Sequence, residues 1–140
     1  LLTVREQARE GASMRKTLTT DKAPKAIGPY SQGVSVTSGR MVFCSGQIPL
    51  DPATGNLVEG DIQKQTERVM ENLRAVLAVD DMSFANVVRT TIFLADINDF
   101  GKVNEVYGRY FPENPPARVT VQAAALPKGA RVEIDAIAVG

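Results

Sequence analysis

Two charged residues in this chain stand where chemistry could be built. Arg118 follows Pro115, Pro116 and Ala117. A guanidinium is planar, permanently charged and forked, so it can grip a carboxylate through two parallel hydrogen bonds. A stiff Pro-Pro lead-in would hold such a fork ready. The same arginine would serve equally well as a surface charge at the start of a strand. Glu133 interrupts the apolar stretch Val132–Val139. A carboxylate there could act as general acid or base through a water molecule, or it could be a solvated strand residue.

Weaker candidates surround these two. Tyr30 closes the turn Gly28-Pro29-Tyr30, where a half-buried ring with a wet hydroxyl is the ordinary role. Ser45 and Gly46 follow the apolar run Met41-Val42-Phe43-Cys44. A glycine there lets a ligand approach the backbone and reach an N–H. With no histidine in the chain, Ser45 has no conventional base and is read as a hydrogen-bonding group. Asn104 lies inside a helical stretch beside Glu105, either solvated or turned to a ligand. Cys44 sits in an apolar run and reads as an inert core thiol. Lys128-Gly129 reads as a turn, and no phosphate-cradling glycine motif is present.

Composition limits what else is possible. Sixteen Lys and Arg balance sixteen Asp and Glu, which argues against a general nucleic-acid or polybasic membrane binder. The absence of histidine removes His-dependent triads and His-containing zinc sites. One cysteine makes neither an intramolecular disulfide nor a paired-cysteine metal knuckle, and fits a reducing, cytoplasmic compartment. No apolar run approaches the roughly 20 residues that span a bilayer. Residues 1–13 are polar, with two Arg and two Glu, unlike a secretory or organellar leader. They are expected to be an upstream extension or a cloning remnant ahead of a single domain over 14–140.

The elements that must position the candidates follow from periodicity. A Thr-rich strand is expected near 16–20. Residues 31–37 and 41–45, separated by Ser38-Gly39, read as a hairpin. Asp61 is a good N-cap, and Ile62, Val69, Leu73, Val76 and Leu77 recur at helical spacing, predicting a helix over 61–78. Residues 87–95 are β-branched and apolar, as for a strand covered on both faces. A second helix is expected from Asp99, with Phe100, Val103, Tyr107, Tyr110 and Phe111 on one face and Pro112 ending it. Strands over 118–124 and 130–139 close the chain around a turn at 126–129. The order β-β-β-α-β-α-β-β predicts an α+β domain with one mixed sheet and two helices on the same face.

In the last strand, Val132, Ile134, Ala136 and Ala138 share one face, and Glu133, Asp135, Ile137 and Val139 share the other. The second face mixes charge with bulky apolar groups, which predicts a homo-oligomer covering it. If 118–139 form a hairpin, Glu133 pairs near Gln122 and Arg118 lies about 14 Å further along. One site using both is then easier to build across a subunit boundary.

The segments AIGPYSQGV, FCSGQIPLDPATG, QTERVMENLRAVL, FLADINDFGKVNEVYGRYF and PPARVTVQAAALPKGARVEIDAIA, in this order over 14–139, resemble the RidA/YjgF family of reactive intermediate deaminases. The resemblance implies a chorismate-mutase-like fold and a homotrimer with clefts at subunit interfaces. It implies hydrolysis of 2-imino acids such as 2-iminobutanoate and 2-iminopropanoate, tautomers of enamines released by pyridoxal-phosphate-dependent dehydratases, to 2-oxo acids and ammonia. No cofactor and no metal are implied. By the same resemblance Arg118 binds the substrate carboxylate and Glu133 positions or activates water. Tyr30 and Ser45 contact substrate or water, Gly46 is a backbone donor, and Asn104 is a polar group behind the arginine. Thr120 stands where many members carry a cysteine, whose contact is made by its backbone carbonyl. Two alternatives remain: a 2-oxo acid-binding regulator without turnover, and the translation inhibition or RNA cleavage ascribed to some relatives. The absence of histidine, of excess positive charge and of closely spaced aromatics gives the RNA reading little support.

Overall fold

The computed structural model describes residues 15–140, so the expected boundary at Met14 lies outside the described residues. Its strands are β1 (Arg15–Leu18), β2 (Gly33–Val36), β3 (Met41–Gln47), β4 (Val87–Leu94), β5 (Ala117–Gln122) and β6 (Val132–Val139). Its helices are α1 (Ile62–Val79), before β4, and α2 (Phe100–Tyr110), between β4 and β5. A four-stranded sheet has the order β3-β6-β4-β5, and β1 pairs with β2 as a separate two-stranded ribbon. β6 runs antiparallel to both neighbours and β4 runs parallel to β5. The sheet is therefore mixed, with both helices on one face, as the α+β reading expects.

The alternation in β6 decides which face is buried. Val132, Ile134, Ala136 and Ala138 point into the core against α1. The alanines leave room for Val69, Met70, Leu73 and Leu77 of that helix, all buried. Asp61 caps α1, its side chain accepting from the Lys64 N–H at 2.9 Å. Val103 and Tyr107 of α2 are fully buried in the same core. Asp99, where α2 was expected to begin, is its N-cap residue but makes no side-chain cap bond and pairs with Arg131 at 3.1 Å. A short 3-10 turn, Ile97–Asp99, precedes α2 and is capped by Asp96.

Two expected hairpins do not form. The turn at Ser38-Gly39 exists, with Gly39 at a φ of 136°, but the strands it joins belong to different sheets. β2 takes β1 as its partner, and β3 leaves to pair with β6, placing Val42 and Cys44 opposite Ala138 and Ala136. The turn near 126–129 likewise does not join paired strands. β6 inserts between β3 and β4, and β5 lies beyond β4, reached through the α2 crossover that parallel neighbours require. β4, expected to be covered on both faces, is covered on one. Thr90, Ile92 and Leu94 are buried, whereas Thr91 and Phe93 are half-buried and Arg89 is exposed.

Candidate active site

β5 is an edge strand, and Arg118 near its start turns toward the helix-covered side. Its guanidinium donates to Asn104 Oδ1 of α2 at 2.7 Å. Three rings enclose it: Tyr107 at 5.0 Å, Phe100 at 5.3 Å and Tyr30 at 5.5 Å from the central carbon. Burial lowers the pKa of Arg118, against smaller opposing contributions from Tyr107 and Tyr30. Among the described residues no carboxylate forms an ion pair with it. A guanidinium carries five N–H donors, so this one is a partly desolvated cation with donors to spare, facing aromatic walls. A planar anion is the ligand that such a site suits.

The Pro-Pro lead-in holds the pocket as well as the strand. Ser31 N–H donates to the Pro116 carbonyl at 3.1 Å, and the Ser31 hydroxyl donates to the Pro115 carbonyl. These bonds staple the Tyr30 turn to the start of β5. Gly28 lies over the guanidinium, where a Cβ would come within 3.6 Å of Arg118 Nη2. Thr120, two residues along on the same face as Arg118, buries its hydroxyl without a hydrogen-bond partner. Its side chain is therefore turned into the protein. Edge strands leave one row of backbone groups unpaired, and β5 is such a strand.

Glu133 belongs to a second cluster. Between Cys44 and Gln47 the β3–β6 register shifts, so Ser45 and Gly46 form a bulge opposite β6. The bulge brings Gly46 onto the Glu133 side chain: a Cβ there would lie 2.8 Å from Oε2 and 2.9 Å from Cδ. Ser45 is exposed beside it. Asp135, next on the same face, accepts from the Thr91 N–H at 3.0 Å. Cys44 is buried, its thiol pKa pushed up by burial and by Asp135, in keeping with an inert core thiol.

The two clusters do not meet within one protomer. Arg118 pairs with Thr90, which pairs with Ala136, all on the buried face. Glu133 pairs with Phe93, which pairs with Val121, on the open face. Arg118 and Glu133 thus lie two strands apart, three residues offset, on opposite faces, on the order of 14 Å between Cα atoms. The structure gathers Arg118, Asn104, Tyr30 and Thr120 on one side and Glu133, Gly46 and Ser45 on the other. The open face around Glu133 carries Phe43, 70% exposed, with Val119 and Val121 exposed as well. Sequence reasoning passed over Gly28, Phe100 and Tyr107 as parts of the arginine pocket. The parallel β4–α2–β5 crossover brings Phe100 and Tyr107 there, and the bonds from Ser31 to Pro115 and Pro116 bring Gly28. The aromatic spacing on α2 was visible as a core stripe, and nothing local distinguishes a ring that packs from one that packs on a cation. Among the described residues, no group of three His, Cys, Asp or Glu side chains is placed to hold a metal ion. No helix among them is long and apolar enough to cross a membrane.

The sequence profile of the Endoribonuclease L-PSP family matches residues 20–140. The chain belongs to this family, also known as RidA/YjgF. Among RidA relatives, the protein DfrA of Myxococcus xanthus is 66% identical over 125 residues, covering 89% of this chain and 95% of that one. The 2-iminobutanoate/2-iminopropanoate deaminase of Rattus norvegicus is 52% identical over 126 residues, covering 90% of each. The solved structure of E. coli TdcF with bound serine superposes with a TM-score of 0.69 at 43% identity, covering 89% of this chain and 98% of that one.

Proposed function

We propose that this protein hydrolyses 2-imino acids to 2-oxo acids and ammonia in a cleft completed by a second copy of the chain. The observation that carries the proposal is the Arg118 pocket: a ringed, partly desolvated guanidinium with no acidic partner among the described residues. A small planar carboxylate would supply the missing charge. Imine deaminase names among relatives at about half identity support the same substrate class.

In the proposed reaction the substrate carboxylate seats on Arg118, with the planar imino acid lying among the rings. Glu133 of a neighbouring copy approaches from the open face and holds a water. The water oxygen adds to C2 of the protonated imine while Glu133 takes a proton from it. The resulting 2-amino-2-hydroxy acid receives that proton on nitrogen. The C–N bond then breaks, its electron pair leaving with ammonia, and the hydroxyl gives its proton to Glu133 as it becomes the new carbonyl. Glu133 passes that proton to the departing ammonia, which leaves as ammonium. Such imines hydrolyse slowly in water unaided. Positioning together with roughly 10²–10⁴-fold from acid–base catalysis is a sufficient contribution for the protein. No step calls on a cofactor or a metal. The opposite-face placement of Arg118 and Glu133, and the exposed apolar residues around Glu133, support a site shared between copies, as in a homotrimer.

The test couples a threonine or serine dehydratase to this protein and follows 2-oxo acid formation. Wild type should accelerate it. Arg118→Ala should lose most of the effect through weaker binding, and Glu133→Gln should lower turnover more than binding. Acceleration that survives Arg118→Ala would overturn the assignment. Binding of 2-oxo acids with no acceleration would identify a non-catalytic carboxylate-binding protein instead. The RNA-cleaving role in the family's name finds less support in a chain with balanced charge and no histidine.

A further inference from the structure

The buried polar residues of the core include Thr66 and Thr90. Thr66 bonds its own helix, its hydroxyl donating to the Ile62 carbonyl at 2.7 Å. Thr90 instead bonds across the fold: its hydroxyl lies 2.7 Å from the hydroxyl of Tyr107. This bond ties α2 to β4 at the level of the candidate site. Thr90 is the Cα partner of Arg118 in the β4–β5 register. The Tyr107 ring is the nearest of the three that face the guanidinium. Asn104, which holds the guanidinium by its hydrogen bond, precedes Tyr107 by three residues on α2, so both project from one side of that helix. Tyr107 is fully buried, and burial pushes its pKa up to about 12, so the hydroxyl stays neutral and available for this bond.

We infer that the Thr90–Tyr107 hydroxyl pair is a positioning device for Arg118, so that carboxylate affinity depends on a hydrogen bond the ligand does not touch. The inference rests on the reading of Arg118 as the carboxylate anchor. The bond fixes the tilt of the Tyr107 ring and the seat of α2 on β4, and these set where Asn104 and the ring hold the guanidinium plane. A bidentate pair depends on that plane. Releasing the bond would leave the cation in place and its fork misaimed. Binding should weaken, while Glu133, which the Thr90–Tyr107 pair does not touch, keeps its own geometry.

The experiment is a calorimetric titration of full-length wild type, Tyr107→Phe, Thr90→Val and Thr90→Ser with 2-oxobutanoate, a stable carboxylate probe, alongside kcat and KM in the dehydratase-coupled assay. Tyr107→Phe and Thr90→Val should each weaken Kd about five- to tenfold, the scale of one hydrogen bond. KM should rise in parallel, and kcat should fall by a smaller factor than KM rises. The double variant should be no weaker than the worse single variant, because both lesions break the same bond. Thr90→Ser, which keeps the hydroxyl and loses the methyl, should return Kd to within twofold of wild type. If Tyr107→Phe does not fold, the Thr90 pair of variants decides alone. A Thr90→Val protein that binds like wild type, or one that loses kcat at unchanged Kd, would overturn the inference. Wild type failing to bind the probe at all would overturn the anchor reading as well, and is distinguishable because all five proteins, the double variant included, would then read alike.

Discussion

Gly46→Ala perturbs one contact and leaves the rest of the candidate site intact. Gly46 is not among the residues at positive φ, so the backbone accepts alanine without strain and the conflict is steric alone. The new methyl would stand 2.8 Å from Glu133 Oε2, 2.9 Å from Cδ and 3.0 Å from Cγ. Ordinary contact needs about 3.5 Å, so three atoms of one side chain are overlapped by roughly half an ångström. Glu133 is half-buried and has solvent on the open face, so it can swing aside. The cost in stability should stay at or below the roughly 1–3 kcal/mol of an overpacked core. The cost in geometry is larger. A displacement near 1 Å at a reacting group can forfeit about 10²-fold in rate. Turnover in the dehydratase-coupled assay should therefore fall about 10- to 100-fold. KM should stay within about threefold, because the new methyl meets Glu133 and not the ringed guanidinium of Arg118 that seats the carboxylate. Thermal unfolding run in parallel identifies a variant that simply fails to fold. A folded Gly46→Ala protein with wild-type turnover would refute the placement of Glu133 at the reacting water.

Three further outcomes are expected. Phe43→Glu puts a charge on the most exposed ring of the open face and should leave monomers without deaminase activity; sedimentation showing an intact oligomer would contradict the shared site. Tyr107 has a folded pKa of about 12, raised from 10.0 chiefly by burial. Its contribution is complete below pH 10 and lost as pH rises through 12, about 3 kcal/mol in all. Denaturant midpoints should fall steeply over that window, and less steeply in Tyr107→Phe; identical slopes would count against the assignment. Cys44, buried and with its thiolate disfavoured, should react with a thiol reagent at least about 10²-fold more slowly in the native state than in denaturant.

The helices and the buried face of β6 were legible because their signals are local. Asp61 with the apolar positions behind it, and the alternation Val132, Ile134, Ala136, Ala138, specify what a segment does before anything packs on it. Pairing partners are not local. Ser38-Gly39 makes a real turn, yet the cost of joining β3 to distant β6 is offset by seating Val42 and Cys44 over the alanines under α1. The same limit applies to the site. Arg118 and Glu133 stood out by type and setting, and a site shared between subunits was already suggested by the uncovered face. Their placement on opposite faces came instead from the insertion of β6 between β3 and β4. Gly46 was noted as a possible backbone donor. Its intimacy with Glu133 arises from a one-residue bulge, which sequence spacing does not announce. Of the rings around Arg118, Phe100 and Tyr107 were read only as the apolar face of a helix, and Tyr107 is indeed core while also facing the cation.

The position of β6 has a consequence for how the protein is made. This strand lies between β3 and β4 in the sheet and follows both in sequence, so during synthesis β3 and β4 must wait with their inner edges unpaired. Until residues 132–139 have left the ribosome, β3 cannot join the β4–β5 pair, and the apolar side of α1 lacks the β6 residues that cover it. A single strand thus supplies at once the link between β3 and β4, the buried residues Val132, Ile134, Ala136 and Ala138, and the carboxylate Glu133.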